Sequence, residues 1–441
     1  MMLADTSDLS RNPMVIDRNI GELTFILHPL TGEVMRLNVS AAFIWEALAR
    51  QHTLEGIAHE LSERFHIGNE SSKGILREFL PKCYMTGLIK IDGQECPGIS
   101  PVNKKAIHRS EGAAALWESA TENNVPLKVD LELTHNCNLS CQYCYSNTPN
   151  CGNGLTFPQI KALITDLRAR GCVFLTLTGG EPLIRTDILK IIEHARNENL
   201  LVRLLTNGTL ITGSFVDAIA EIGQVNVEIS LHHLDPLLHD RFTNMERSFG
   251  MALKSAQCLK EKGVEVTFKF TVTRDNFECL KNLKPYSQTI GIPILTNAVI
   301  IPQLDGSNRS LSLCLSDEQL REAISNGWIT SQRYACVSGK AKCLISPEGD
   351  VYPCEFIRTG MGNLHTGNFD SIWDSEKFQK FRASDILNVH EPCKACECFS
   401  FCQQCPGLVY LEKGRYDDIF SQTCRIAQIA KSIDREAKAP L

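Results

Sequence analysis

From residue 127 onward, apolar strand-like runs alternate with helical patterns, and this alternation limits the folds open to the chain. The strand runs are 129–134, 173–178, 201–206, 226–231, 264–272 and 294–301. Amphipathic stretches lie between them, among them 157–170, 187–199 and 248–262. Six strand–helix units in succession predict an α/β fold of parallel strands, because a parallel pair needs a long crossover to return to the same edge. The periodicity fits an open sheet and a partial barrel alike.

This repeat, placed at 127–329, is flanked on both sides. Residues 1–95 predict a separate winged-helix-like α+β module. Thr24-Phe-Ile-Leu27 and Val34-Met-Arg-Leu37 flank a turn at Thr31-Gly32 and read as a hairpin. Ser40 and Thr53 are the expected caps of two helices, the second carrying Leu54, Ile57, Ala58, Leu61 and Phe65 on one face. A third helix carries Ile75, Leu76, Phe79, Leu80 and Cys83, the cysteine fitting its apolar face, before a closing strand at 88–91. Residues 96–126 read as a linker with a short helix at 113–116. Residues 330–441 are rich in cysteine, glycine and short elements without the apolar stripes of a large core. Such segments need staples, here metals.

Nineteen cysteines in 441 residues is the outlying number. Disulfide scaffolds are short and exported, whereas Met1 to Arg11 is polar and carries Asp5 and Asp8 instead of a signal peptide. No apolar run approaches the ~18 residues that span a bilayer. A net charge of −6 makes no case for nucleic acid. The expectation is a cytoplasmic protein, with neither membrane nor nucleic acid as partner, whose clustered cysteines bind metal. Cys172, Cys258 and Cys279 fit core or helix faces, Cys151 is a loop cysteine near the first cluster of cysteines, and Cys96 and Cys314 carry no signal.

Three of the cysteines follow the first strand of the repeat, in Cys137-Asn-Leu-Ser-Cys141-Gln-Tyr-Cys144. Thiolates this close can hold three irons of a [4Fe–4S] cube and leave the fourth open to a substrate. Other distinctive polar residues follow the next strands: Thr178-Gly179-Gly180-Glu181-Pro182, then Thr206-Asn207-Gly208, then Ser230 and His232. All would line the C-terminal face of a barrel. Each has a role if the open iron chelates S-adenosylmethionine. Gly179 and Gly180 permit close backbone approach. Glu181 can accept from the ammonium group. Asn207 and Ser230 can bind ribose hydroxyls or the carboxylate, and Tyr143 can pack near the adenine. Zinc is the alternative for a lone cysteine trio.

Cys137-x-x-x-Cys141-x-Tyr143-Cys144 followed by Gly179-Gly180-Glu181-Pro182 resembles the radical S-adenosylmethionine superfamily over about residues 127–300. The resemblance implies a partial (β/α)6 TIM barrel and a 5′-deoxyadenosyl radical, with Cys137, Cys141 and Cys144 as the catalytic cluster ligands. One departure is Ser230-Leu231-His232, where the family often has Ser-Leu-Asp. His232 is expected to be a pocket residue in preference to a base, and Lys254 an exposed helix lysine in preference to a substrate contact.

Cys336, Gly349-x-x-x-x-Cys354, Cys393-x-x-Cys396, Cys402-x-x-Cys405 and Cys424 resemble the SPASM domain of radical peptide-modifying enzymes. By that resemblance Cys393, Cys396, Cys402 and Cys424 bind one [4Fe–4S] cluster, and Cys336, Cys354 and Cys405 bind another with an open iron. That makes three clusters in all. Cys343 and Cys398 compete for the remaining ligand place, and a zinc ribbon is the alternative for the region. Only Gln403 and Gln404 separate the last paired cysteines, which is similar to sactipeptide and ranthipeptide thioether synthases. The N-terminal module, from Leu27-His-Pro-Leu-Thr-Gly32 through Leu37-Asn-Val-Ser40 to Gly87-Leu-Ile89, resembles the peptide-recognition domain (RRE) typified by the PqqD chaperone. That likeness implies capture of a leader peptide as an added strand.

The resemblances together imply an oxidoreductase that installs a cysteine-sulfur-to-carbon thioether in a ribosomally made precursor peptide. An external donor such as flavodoxin or ferredoxin would supply electrons. Carbon–carbon crosslinking, oxidative decarboxylation and a non-catalytic metal-binding peptide carrier are the alternatives.

Overall fold

The computed structural model describes residues 7–50, 53–94, 111–146, 154–329, 335–387 and 391–438. Cys96, Cys151 and the first half of the expected linker lie outside the described residues. The chain forms two compact units, Met1–Leu127 and Lys128–Leu441.

The first unit contains β1 (Leu9–Arg11), β2 (Ile16–Ile20), β3 (Leu23–Leu27), β4 (Val34–Leu37), α1 (Val39–Ala47), α2 (Leu54–Phe65), α3 (Asn69–Met85), β5 (Ile89–Ile91) and α4 (Glu111–Glu122). The sheet order is β2-β3-β4, antiparallel, and β1 pairs with β5. The expected hairpin is the β3–β4 pair. β2 escaped the pattern because its centre, Asp17-Arg18-Asn19, is polar. Trp45, Leu61, Leu76, Leu80 and Cys83 fill the core under the helices. Burial pushes the Cys83 thiol up to about 12, as suits a core residue. Thr53 caps α2 by accepting from Gly56 N at 3.2 Å. The cap of α1 is Asn38, not Ser40: the Asn38 amide oxygen accepts from Ala41 N at 2.8 Å, and the Ser40 hydroxyl bonds to Asn38. α4 is longer than the expected short helix, and Gly112 near its start lies so close to the Val34 carbonyl that a side chain would collide.

The second unit starts with six parallel strands: β6 (Lys128–Glu132), β7 (Phe174–Thr178), β8 (Leu201–Thr206), β9 (Val225–Leu231), β10 (Glu265–Thr271) and β11 (Ile294–Asn297). Between them run α5 (Phe157–Ala169), α6 (Ile188–Asn197), α7 (Gly213–Ile222), α8 (Pro236–Thr243), α9 (Ser248–Glu261) and α10 (Leu280–Ile290). The strands lie in sequence order across the sheet. Every right-handed crossover therefore places its helix on the same face, and the twisted sheet curls away from them into a partial barrel. Val129, Leu131, Leu175, Leu177, Leu204 and Phe268 bury the helix-covered face. The alternate positions, including Asp130, Glu132, Arg203, Glu228 and Lys269, give the concave face its charge.

After α11 (Asp317–Ser325) the chain returns to the barrel. β12 (Lys342–Ile345) pairs parallel with β6, and β13 (Asp350–Tyr352) and β14 (Gly362–Asn363) extend the sheet antiparallel. α12 (Phe369–Trp373), α13 (Glu376–Ala383), α14 (Glu391–Lys394), α15 (Pro406–Lys413) and α16 (Ser421–Lys438) complete the unit. This segment contributes buried apolar side chains without a large core of its own: Phe369, Trp373 and Phe378 join the core of the barrel, and Val409 and Phe420 a small separate cluster. Its elements are short, so each gives one or two large side chains and no stripe. Among the described residues, no helix is long and apolar enough to cross a membrane.

Candidate functional site

The loop leaving β6 carries Cys137, Cys141 and Cys144, and it is clamped along its length. Gly180 N donates to Thr134 O at 2.7 Å and Glu181 N to Asn136 O at 2.8 Å. Ser140 N and Gln142 N donate to Thr243 O and Phe242 O at the end of α8, both at 3.2 Å. Leu304 N donates to Tyr145 O at 3.0 Å. Gly179 has φ +131°, and a Cβ there would strike the Thr134 carbonyl; one at Gly180 would strike that of Asn136. The close approach that these glycines permit is therefore to the cysteine loop itself, a tighter constraint than the expected approach to a cofactor.

The three thiols converge. Burial pushes Cys141 up to about 12, and the neighbouring Cys144 and Cys137 add to the shift. Cys137 and Cys144 are raised as well, chiefly by burial. Among the described residues no three His, Cys, Asp or Glu side chains gather as ligands of a single ion. A cube would take each of the three thiolates on a different iron, whereas zinc would gather them on one ion.

Glu181 is 0 % exposed. Its Oε1 accepts from Thr206 Oγ1 at 2.7 Å and Leu183 N at 3.0 Å, and its Oε2 from Asn207 N at 2.8 Å. Burial raises its carboxyl above the usual range against these donors. The side chain expected to meet an ammonium group thus also ties the ends of β7 and β8, with acceptor capacity left on Oε2. Asn207 Nδ2 donates to Asn138 Oδ1 at 2.9 Å and lies 4.0 Å from Cys137 Sγ. Ser230 is half-buried on β9, and Lys254 is exposed on α9.

Tyr143 turns its hydroxyl to His232 Nδ1 at 2.7 Å, and its ring packs 4.9 Å from that of Phe242. His232 stacks on Phe242 at 5.2 Å and 17°. Burial, with His239 nearby, pushes His232 down to about 3, so it is neutral and unsuited to act as a base near neutral pH.

The C-terminal cysteines form two groups. Cys336, Cys354 and Cys405 make the first. The Ser338 hydroxyl lies 3.3 Å from Cys336 Sγ and hydrogen-bonds Cys354. Burial raises Cys405 to about 12, with Cys354 and Cys336 adding to it. Cys343 stands apart from them, 0 % exposed in the barrel core and level with Val129 of β6. The second group lines a hollow: Cys393, Cys396, Cys402, Cys424 and also Cys398, with Phe399 and Phe420.

Some site-shaping residues had no motif to announce them. Arg358 grips Glu132 through two hydrogen bonds of 2.9 and 2.7 Å. His135 meets Glu348 at 3.0 Å, joining the cysteine loop to the turn between β12 and β13. The alternating charges of Asp130 and Glu132 within an apolar strand were the available signal. In the first unit, Leu23, Met35, Arg36, Leu37, Asn38, Ala41 and Phe79 line a groove along β4.

Comparison with known proteins bears on these sites. Residues 131–283 match the radical SAM superfamily, 336–397 the SPASM iron–sulfur cluster-binding domain, and 24–89 coenzyme PQQ synthesis protein D. The chain is 26 % identical to the AdoMet-dependent heme synthase of Oleidesulfovibrio alaskensis, over 72 % of this chain and 92 % of that protein. It is 27 % identical to the PqqA peptide cyclase of Bradyrhizobium diazoefficiens, over 62 % of this chain and 79 % of that protein. The fold matches that of Streptococcus suis SuiB bound to precursor peptide SuiA, with TM-score 0.61 and 16 % identity, over 94 % of this chain and 99 % of that one.

Proposed function

We propose that this chain, which carries radical SAM, SPASM and PqqD-like domains, modifies a ribosomally made precursor peptide by joining a cysteine sulfur to a carbon of the same peptide. The observation that carries the thioether is the trio Cys336, Cys354 and Cys405. The nearest sequence candidates for a fourth ligand sit elsewhere, Cys343 in the core and Cys398 in the other hollow. A cube on three thiolates keeps one iron for the peptide's own thiolate.

When bound, S-adenosylmethionine and three [4Fe–4S] clusters would supply hydrogen-atom abstraction and uptake of the surplus electron, with a flavodoxin- or ferredoxin-type donor upstream. Cys137, Cys141 and Cys144 would hold the first cluster. Glu181, Gly179, Gly180, Asn207, Ser230 and Tyr143 would position the nucleoside and its amino acid part. The balance is simple: the carbon gives up a hydrogen atom, the sulfur a proton, and the new bond releases one electron. Residues 1–95 would hold the leader along β4. Clusters with open irons suit the reducing cytoplasm.

The heme synthase likeness offers a tetrapyrrole as the second reading, and the PqqD-like module favours the peptide. The test is anaerobic incubation with S-adenosylmethionine, reductant and the short cysteine-rich peptides encoded beside the gene. The product should lose two hydrogens and one alkylatable thiol. The same mass change with every thiol still alkylatable would mean a carbon–carbon link, and loss of a carboxyl group would mean decarboxylation. Modification of a porphyrin and of none of these peptides would sink the peptide reading.

A further inference from the structure

The hollow beneath α16 holds more sulfur than a cube needs. Cys393, Cys396, Cys398, Cys402 and Cys424 all line it. A [4Fe–4S] cube presents four corners to protein ligands. Cys393, Cys402 and Cys424 approach from separate places: the end of α14, the residue after the 3-10 turn Phe399–Phe401, and the first turn of α16.

Cys396 and Cys398 are different. They lie on one run of tight turns, in which Cys396 N donates to Cys393 O at 3.2 Å, Phe399 N to Cys396 O at 3.0 Å and Phe401 N to Cys398 O at 3.0 Å. Their side chains are within hydrogen-bonding reach of one another, and Cys424 neighbours both. Two sulfurs that close address the same corner, because terminal ligands on different irons stand further apart. The residue between them is pinned. Glu397 bonds Lys431 Nζ at 2.5 Å and Arg435 at 2.6 Å, both on α16. That ties the run between the two cysteines to α16, and the cysteine on either side lines the hollow. Cys396 is exposed and Cys398 half-buried.

We propose that Cys396 and Cys398 are alternative ligands for one iron of the auxiliary cluster in this hollow. In the exchange one Fe–S bond breaks as the other forms. A proton passes from the incoming thiol to the outgoing thiolate, and no electron moves. The proposal rests on the reading that this hollow holds a [4Fe–4S] cluster.

The full-length protein, reconstituted with iron and sulfide, tests both statements separately. Wild-type chain should bind about twelve irons in three cubes. Cys396→Ala and Cys398→Ala should each keep that content, and the double variant should lose about a third of it, as should Cys393→Ala. Loss of a third of the iron in Cys396→Ala alone would overturn the exchange, and so would full iron in the double variant. Wild-type protein with about eight irons, unchanged by Cys393→Ala, would remove the cluster and the premise with it. A second readout avoids any folding defect. In wild-type holoprotein, iodoacetamide should label Cys396 in some chains and Cys398 in others, but not both in one chain. Labelling confined to a single position would overturn the proposal.

Discussion

At the scale of single residues, what decides a role is which partner claims a side chain. Ser338 is 6 % exposed; its hydroxyl accepts from the Cys336 thiol at 3.3 Å and hydrogen-bonds the Cys354 sulfur, and a thiolate at either position would take its proton instead. Hydrogen bonds to cluster sulfurs favour the more negative reduced state and so raise the potential. Ser338→Ala is therefore expected to lower the midpoint potential of the cluster proposed for Cys336, Cys354 and Cys405 in an EPR-monitored redox titration, and Ser338→Thr to restore it. An unchanged midpoint would leave Ser338 as packing alone. His232 carries a second prediction. Its folded value of about 3 lies below the ordinary histidine value, so between the two the unfolded chain binds more protons than the native one. Stability should then fall as pH drops from about 6.5 toward 3. His239, lowered to about 4 by burial, adds to the slope. Replacing His232 by Gln should flatten that slope without abolishing it, as read by denaturant unfolding at several pH values.

At the scale of elements, legibility followed the range of the interaction. β8 was expected at 201–206 and forms there, because its alternation is set by one buried face. The run expected at 294–301 stops at Asn297. Among the described residues β10 is the sole strand neighbour of β11, so apolar character outlasts the pairing. The placement of β12 beside β6 had no local signal, since the two are far apart in sequence. Their register is written in charge. Asp130 lies 3.3 Å from Lys128 and 3.1 Å from Lys342, and Lys342 reaches Glu355 at 2.5 Å. Burial pushes the Asp130 carboxyl up, but Lys342 and Lys128 outweigh it and hold the group below its usual range. Its contribution to stability is therefore present above the ordinary carboxylate range and lost as pH falls through the depressed value. Lys342→Met leaves the buried Asp130 and the half-buried Glu355 short of a cation. It should cost ~3 kcal/mol and move acid unfolding to higher pH. Equal acid midpoints in variant and wild type would show that the ladder sets no register.

At the scale of the whole molecule, the cysteine motifs point to where clusters would be held, but not to what receives the substrate. That depends on an edge. β4 is an outer strand of β2-β3-β4. His28 N donates to Glu33 O at 2.9 Å, and the register runs on through Ile26 with Met35 and Thr24 with Leu37. In an antiparallel ladder the hydrogen-bonded pairs alternate, so the backbone groups of Val34 and Arg36 point away from β3. Gly112 of α4 already crowds the Val34 carbonyl. Arg36 offers an outward donor beside the groove that Met35, Leu37 and Phe79 line. A leader added as a strand would pair there. Proline at position 36 removes that N–H, and an edge strand tolerates it. Arg36→Pro should weaken leader binding about five- to tenfold, the worth of roughly one backbone hydrogen bond, while iron content stays at the wild-type level. Arg36→Ala keeps the N–H and should bind as the wild type does. Fluorescence anisotropy with a labelled leader peptide separates the two. If Arg36→Ala fell as far as Arg36→Pro, the side chain and not the strand edge would be what the leader reads.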